Sequence, residues 1–535
     1  MQLRNTSIIL VIFGITVAIS LFWNWPFKVS EIGGGPSVLI YLVLLLIVGI
    51  PVVLVELALG SWSKSVFPAS LKMINSKLEF FGWFALINTF WLLTGLCAIL
   101  SWTASLACYT VSRFYPLSNW VFPLTGAFDF SNYFFNYSSP LPPLMGLSII
   151  WGAIFLFSIF DRWGSRIKKV AIKIVFPALA IIMVITLILT VSLAGGVNPG
   201  LNFYLGFDPQ VFLSGSSWRT LTTILFFNLG AGLGILSFYT SKDSGEQNKL
   251  TSLALIATLL GTGLIFLGGT IFFTMSGISG LTILLSPINF FPMGILGFPA
   301  APFIGWSAGF AIIERGMGFL IGKSLALLFY TLTFIAGILG LTFLVEPIKE
   351  TLRTKFNLSS RKLIAILVIA GFLASIPFTL TKSPWGYYLT SLSNWWVEGF
   401  GLALIVLVEL IAVGWIWGAE NVVGYINNNS HIRIPKWFKW IIKFVAPATV
   451  IIALVIGVYD TLKGYVSNSW GIFSPLVAFQ QTLAPWYTNP NFVFPILALV
   501  WLASNIVMAI ILTRRKPEEE KVEKKKEKGK RIRNA

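Results

Sequence analysis

Three acids stand inside apolar stretches of this chain: Glu56, Glu398 and Glu409. A carboxyl at membrane depth is costly, so it marks a solute or ion pathway, a proton relay, or a contact to unpaired backbone. Two breaks accompany the acids. Trp23-Asn24-Trp25-Pro26 ends a first apolar stretch ahead of the Gly33–Gly35 cluster, and Phe226-Phe227-Asn228-Leu229-Gly230-Ala231-Gly232-Leu233-Gly234 interrupts a later one. Three glycines at spacing two make a poor helix. The backbone groups they free are tolerated at membrane depth only where they line a cavity or bury in protein. The bland alternative is that these glycines merely let helices pack closely. The chemistry on offer is recognition and passage of a small solute. Covalent chemistry has no support: there is no Cys/His metal cluster and no nucleophile with a base partner. His431 is the single histidine and falls in a loop. Cys97 and Cys108 share one helix and stand roughly 16 Å apart, too far to pair.

The elements that must position these residues are membrane helices. The 535 residues are 56% hydrophobic and 11% charged. Crossing ~30 Å of hydrocarbon takes ~20 helical residues. Twelve apolar segments meet that need, near residues 6–25, 37–60, 80–113, 144–160, 170–194, 217–240, 249–276, 317–346, 362–381, 395–418, 438–462 and 490–513. They are numbered spans 1 to 12 below. The first resembles a signal peptide in length, but Trp-Asn-Trp-Pro follows it instead of a small-residue cleavage site, so it reads as a span. The expected fold is an all-α polytopic membrane protein of 12 transmembrane helices. The transporter domain is expected over residues 1–513, with a charged, disordered tail at 514–535.

The net charge of +18 does not point to nucleic acid. Lys and Arg collect in alternate loops: Lys64, Lys72 and Lys77; Arg162, Arg166, Lys168 and Lys169; Lys349, Arg353, Lys355, Arg361 and Lys362; Arg433, Lys436 and Lys439. That is the positive-inside pattern, and it places both termini in the cytoplasm of a plasma-membrane protein. The partners implied are the lipid bilayer and a small-molecule substrate. Oligomeric state stays open.

Breaks in spans 1 and 6 predict two five-helix repeats of inverted topology, spans 1–5 and 6–10, with a site between them near the midplane. Residues between spans 7 and 8 are apolar but rich in Pro and Gly, and read as an external lid of short helices. Residues 114–143 read as a second external loop.

Trp25-Pro26, Gly33–Gly35, Gly49-Ile50-Pro51 with Glu56 and Gly60, Ser101-Trp102, Gly200-Leu201-Asn202-Phe203, Phe226–Gly234, Ala336-Gly337, Glu346-Pro347, Glu409, Gly418-Ala419-Glu420 and Pro447 resemble, in order and spacing, the neurotransmitter:sodium symporter family, whose bacterial members transport amino acids. The resemblance runs along nearly the whole chain. It implies substrate-binding positions at Ser20, Leu21, Leu96, Phe227, Asn228, Gly230, Leu233 and Leu344. It also implies where sodium ligands would lie, and there the chain departs from the family pattern. Ligands of a first sodium align with Leu21, Asn228 and roughly Gly277. Those of a second align with Gly14, Val17, Ala336, Leu339 and Gly340, so its hydroxyl pair is missing. Replacing oxygen ligands with apolar groups removes the compensation a desolvated cation needs. The span 3 Tyr falls on Leu96. The outer Arg–Asp gate becomes Asn24 and Asn394, expected to close through a hydrogen bond. The inner-gate Asp falls on Thr354. The resemblance puts Glu56 and Glu409 behind the span 6 break, with a proton site as the rival role. Glu398 has no family counterpart; it reads as vestibule-facing, with pairing to Lys323 or a cation as alternatives.

The expected function is alternating-access transport of a small, amino-acid-like solute, with sodium coupling weakened or absent. The alternative is a non-transporting receptor or scaffold on the same fold. No cofactor is implied, and the coupling ion, sodium or proton, stays open.

Overall fold

The computed structural model describes residues 16–114, 141–159, 161–194, 198–242, 249–278, 301–379, 389–390, 392–466 and 490–515. Among them nearly everything ordered is helix, and the one β-type contact is the isolated bridge between Lys249 and Ser430. Among the described residues, nine helices are long and apolar enough to cross a bilayer: Ser37–Ser63, Ser76–Val111, Lys173–Ala194, Leu250–Ile278, Phe319–Phe356, Ser360–Thr379, Ser393–Asn428, Phe438–Thr461 and Pro495–Arg514. They fall on spans 2, 3, 5 and 7 to 12. Span 4, at Leu141–Ile159, is shorter in its apolar part. Span 6 misses the criterion because it changes course midway, and span 1 is described only from Thr16.

Span 6 is broken as its glycines require. Helix Gly215–Leu229 ends at Gly230, and helix Ile235–Ser241 starts after Gly234. Gly230, Gly232 and Gly234 have φ of 68°, 73° and 69°, in the left-handed region that costs a side chain about 1–2 kcal/mol. Span 1 behaves differently. It stays wound, as a wide π-helical stretch Thr16–Asn24 that passes into the α-helix Trp25–Ile32. Pro26 sits in the first turn of that second helix, where its missing N–H costs nothing. The break read at Trp23–Pro26 is therefore a change of winding.

Span 3, Glu79–Phe114, is the central column. Spans 4, 8, 9, 10 and 12 all pack on it. Its 36 residues extend about 54 Å at 1.5 Å each. The second half of span 6 packs on span 2, where a Cβ on Gly60 would collide with the Ser237 carbonyl. That contact fixes the carboxyl of Glu56, one turn earlier, against the span 6 break.

The lid is described from Ala301–Met317, a helix packed on spans 7 and 8. Its earlier part, the external loop at 115–140, Gly14, and the tail beyond residue 515 lie outside the described residues. Cys97 is buried and Cys108 exposed, both as free thiols.

Candidate functional site

The site forms where spans 1, 3, 6, 7 and 8 converge. Ser20, Leu21, Leu96, Phe227, Asn228, Leu233 and Leu344 are all 2% exposed or less, and Gly230 is buried with them. The hydroxyl of Thr89 on span 3 donates to the Leu233 carbonyl at 3.3 Å, joining span 3 to the break. On span 8, Gly337 faces Leu100 so closely that a Cβ would strike that side chain.

Leu21 packs against span 7. A Cβ on Gly268 would lie 2.7 Å from Leu21 Cγ and 3.2 Å from its carbonyl oxygen. Gly268, rather than Gly277, is thus the span 7 residue that meets Leu21. Gly277 lies toward the other end of the helix, where its Cβ would strike Asn198 and Gly200. Asn228 turns its amide to the Tyr41 hydroxyl on span 2, 3.2 Å away. On span 8, Ala336, Leu339 and Gly340 are buried, and the nearby Thr342 hydroxyl donates to the Leu339 carbonyl at 2.7 Å. For Val17 the structure describes only backbone, in the π-helical stretch.

The gate differs from the expected Asn24–Asn394 closure. Asn24 Nδ2 donates to Glu398 Oε1 at 2.8 Å, and Glu398 is 2% exposed. Asn394 is half-buried, one turn nearer the helix start. Glu398 is therefore not a vestibule-facing residue. Lys323 bonds Glu314 at 2.8 Å. The Asn24 amide N–H and the Glu398 carboxyl oxygen are complementary as donor and acceptor.

The lid helix packs on span 1 through aromatic rings. Trp306 Nε1 donates to the Phe22 carbonyl at 2.8 Å, and the two rings stack with centroids 5.8 Å apart. Phe303 and Tyr330 meet the Phe22 ring edge-on. At the opposite end, Thr354 only back-bonds within its helix, at 2.8 Å. Tyr239 on the second half of span 6 donates to Glu346 on span 8 at 2.8 Å.

Glu56 Oε1 accepts from the Gly232 amide at 2.5 Å. Glu409 is buried on the span 10 helix that packs against the span 2 helix carrying Glu56. Both are 1% exposed or less. Glu56 supplies the acceptor that the glycine break needs.

Sequence reasoning missed Tyr41, Gly268, Trp306 and Asn88. Asn88 receives Trp501 Nε1 at 3.1 Å and donates to the Val397 carbonyl at 3.0 Å, tying spans 3, 12 and 10. Tyr41 and Asn88 carried a usable signal, as polar groups in long apolar helices. Gly268 and Trp306 carried none.

A span broken at mid-membrane among buried residues of spans 1, 3, 7 and 8, beside a lid helix, defines a polytopic solute transporter rather than an enzyme. The profile of the sodium:neurotransmitter symporter family matches residues 3–121 and 141–511, and the chain belongs to that family. An uncharacterized sodium-dependent transporter of Methanocaldococcus jannaschii is 25% identical over 493 residues, covering 90% of this chain and 94% of its own. The sodium-dependent dopamine transporter of Bos taurus is 22% identical, covering 85% of this chain and 68% of its own. The solved structure of MhsT in complex with L-phenylalanine shares the fold, with a TM-score of 0.72 and 20% identity, covering 85% of this chain and 99% of its own.

Proposed function

We propose that this transporter moves a small amino-acid-like solute with an apolar side chain, with sodium coupling weakened or absent. It would sit in the plasma membrane with both termini cytoplasmic, as the alternation of basic loops indicates. The observation that carries the proposal is the contact of Leu21 with Gly268. At the aligned position of the first sodium, an isobutyl group fills the space against a residue with no side chain. Asn228, the remaining polar ligand position, is bonded to Tyr41. The second position offers Leu339 and Gly340 in place of hydroxyls. A sodium ion held by so few oxygens loses the coordination that offsets its desolvation. The apolar character of the solute rests on Phe227, Leu233 and Leu344, all fully buried around the break. The L-phenylalanine bound by MhsT and the dopamine in the name of the bovine relative are aryl-alkyl amines of this general size.

The test is thermal stability of the purified chain against an amino-acid and amine panel, in sodium and in potassium, at two pH values. The expected outcome is a ligand-specific rise in melting temperature of equal size in both salts. A rise confined to sodium refutes the ligand-loss reading. No rise with any ligand, together with no uptake into proteoliposomes, favours a receptor or scaffold.

A further inference from the structure

The corner between spans 10 and 11 exposes an aromatic and basic surface that the transport site does not use. Span 10 turns at Gly418, whose φ is 99°, into the short helix Ala419–Asn428. That helix buries Ala419, Val422, Val423 and Ile426 and leaves Glu420 outside. Span 11 then begins at Phe438. Around the turn Trp415 is 53% exposed, Trp437 60%, Trp440 53% and Phe444 44%. Tryptophans in this setting mark the level of the lipid headgroups.

Two cations stand over these rings, and two more, Arg433 and Lys436, precede them in the loop. Lys443 Nζ lies 5.1 Å from the Trp415 ring centroid and 5.9 Å from that of Phe444. Lys439 Nζ lies 5.3 Å from the Trp440 centroid and 3.3 Å from Glu420 Oε1. Arg433 and Lys436 are exposed. Among the described residues, Glu420 is the one carboxylate paired with this cluster. The Trp415 and Phe444 rings hold Lys443 in place, and Glu420 is the acid nearest the cluster. Next to the cluster on the same helices, Ile416 is 48% exposed and Val445 42%, so the basic surface runs directly into an apolar face. Cationic groups at headgroup level, continuous with exposed hydrocarbon, complement a ligand with an anionic head and acyl tails.

We propose that this corner binds an anionic phospholipid from the leaflet at the basic end of the spans. Lys436, Lys439 and Lys443 would contact its phosphate, and the Trp415 and Phe444 side would receive its chains. The inference is independent of the solute and of the coupling ion.

The test uses full-length protein in neutral detergent, with melting temperature followed as phosphatidylglycerol or phosphatidylcholine is added. Phosphatidylglycerol is expected to raise the melting temperature and phosphatidylcholine to have little effect. In the triple variant Lys436→Gln/Lys439→Gln/Lys443→Gln, half-saturation by phosphatidylglycerol is expected at roughly a hundredfold higher concentration, from about fivefold per lost charge. Arg361→Gln/Lys362→Gln, in another basic loop, should keep the full response. The proposal is overturned if the triple variant responds like the parent, if the control variant loses as much, or if inorganic phosphate alone gives the shift. Should the triple variant melt early without added lipid, Trp437→Ala/Trp440→Ala replaces it. An unaltered phosphatidylglycerol response there also overturns the proposal.

Discussion

The bond between Asn24 and Glu398 gives the sharpest quantitative expectation. Both groups are out of solvent, at 0% and 2% exposure, and the 2.8 Å contact joins spans 1 and 10 across the outer side of the site. A hydrogen bond to a charged partner contributes about 1.5–3 kcal/mol net. Removing Glu398 also leaves the buried Asn24 amide without this acceptor, which costs a further ~1–3 kcal/mol of uncompensated desolvation. Glu398→Leu should cost about 2–5 kcal/mol by that reasoning, and Asn24→Leu about 1.5–3 kcal/mol. The double variant should cost clearly less than their sum, because no polar group is then left behind. Unfolding by SDS in mixed micelles would supply the double-mutant cycle, with an expected coupling of about 1.5–3 kcal/mol. A coupling below ~0.5 kcal/mol, the range of independent sites, would refute the assignment. A larger coupling in the Asn24/Asn394 cycle would restore the amide–amide closure that the family alignment implied.

Two further outcomes follow from geometry. Glu79 accepts from Lys355 at 2.9 Å, Lys72 at 2.8 Å and Trp83 Nε1 at 3.2 Å, and Lys355 is only 5% exposed. Glu79→Gln should cost about 3–5 kcal/mol by leaving a buried ammonium without its counter-charge, while Lys72→Gln, at a half-exposed partner, should cost under ~1 kcal/mol; melting temperatures of the two variants would rank them, and equal losses would sink the argument. Gly232→Ala combines a left-handed φ of 73° with a Cβ 3.1 Å from both the Leu402 carbonyl oxygen and Val406 Cγ2. The expected loss is about 2–5 kcal/mol from strain and overpacking together, with ligand-induced stabilisation lost as well; a variant that melts and binds like the parent would show that the break tolerates a side chain.

The apolar runs and the glycine triplet made the fold legible, because each carries its own physical cause. Twenty apolar residues satisfy a bilayer wherever they occur, and glycines at 230, 232 and 234 oppose helix in any context. Glu56 was legible as a partner of that break for a similar reason: an acid at such depth needs a donor, and the break supplies one. Span 1 was not, since Trp-Asn-Trp-Pro is compatible both with an interruption and with a helix that changes pitch. That Gly268 is the span 7 residue against Leu21 was not legible either. Nothing local in that helix distinguishes one small residue from another.

What the sequence by itself determined is the environment: a polytopic helical membrane protein, a broken span 6, acids that must be matched within the protein, and the absence of oxygen-bearing side chains at the aligned positions 21, 339 and 340. These are properties of residue type and spacing. Only the tertiary structure decided the pairings. Glu398 meets Asn24 instead of Lys323, Asn228 meets Tyr41, and the indole of Trp306 reaches the Phe22 carbonyl. Each joins residues far apart in the chain, and their meeting depends on how whole helices rotate and slide against one another. That is set by the summed packing of many side chains, which no short stretch of sequence records.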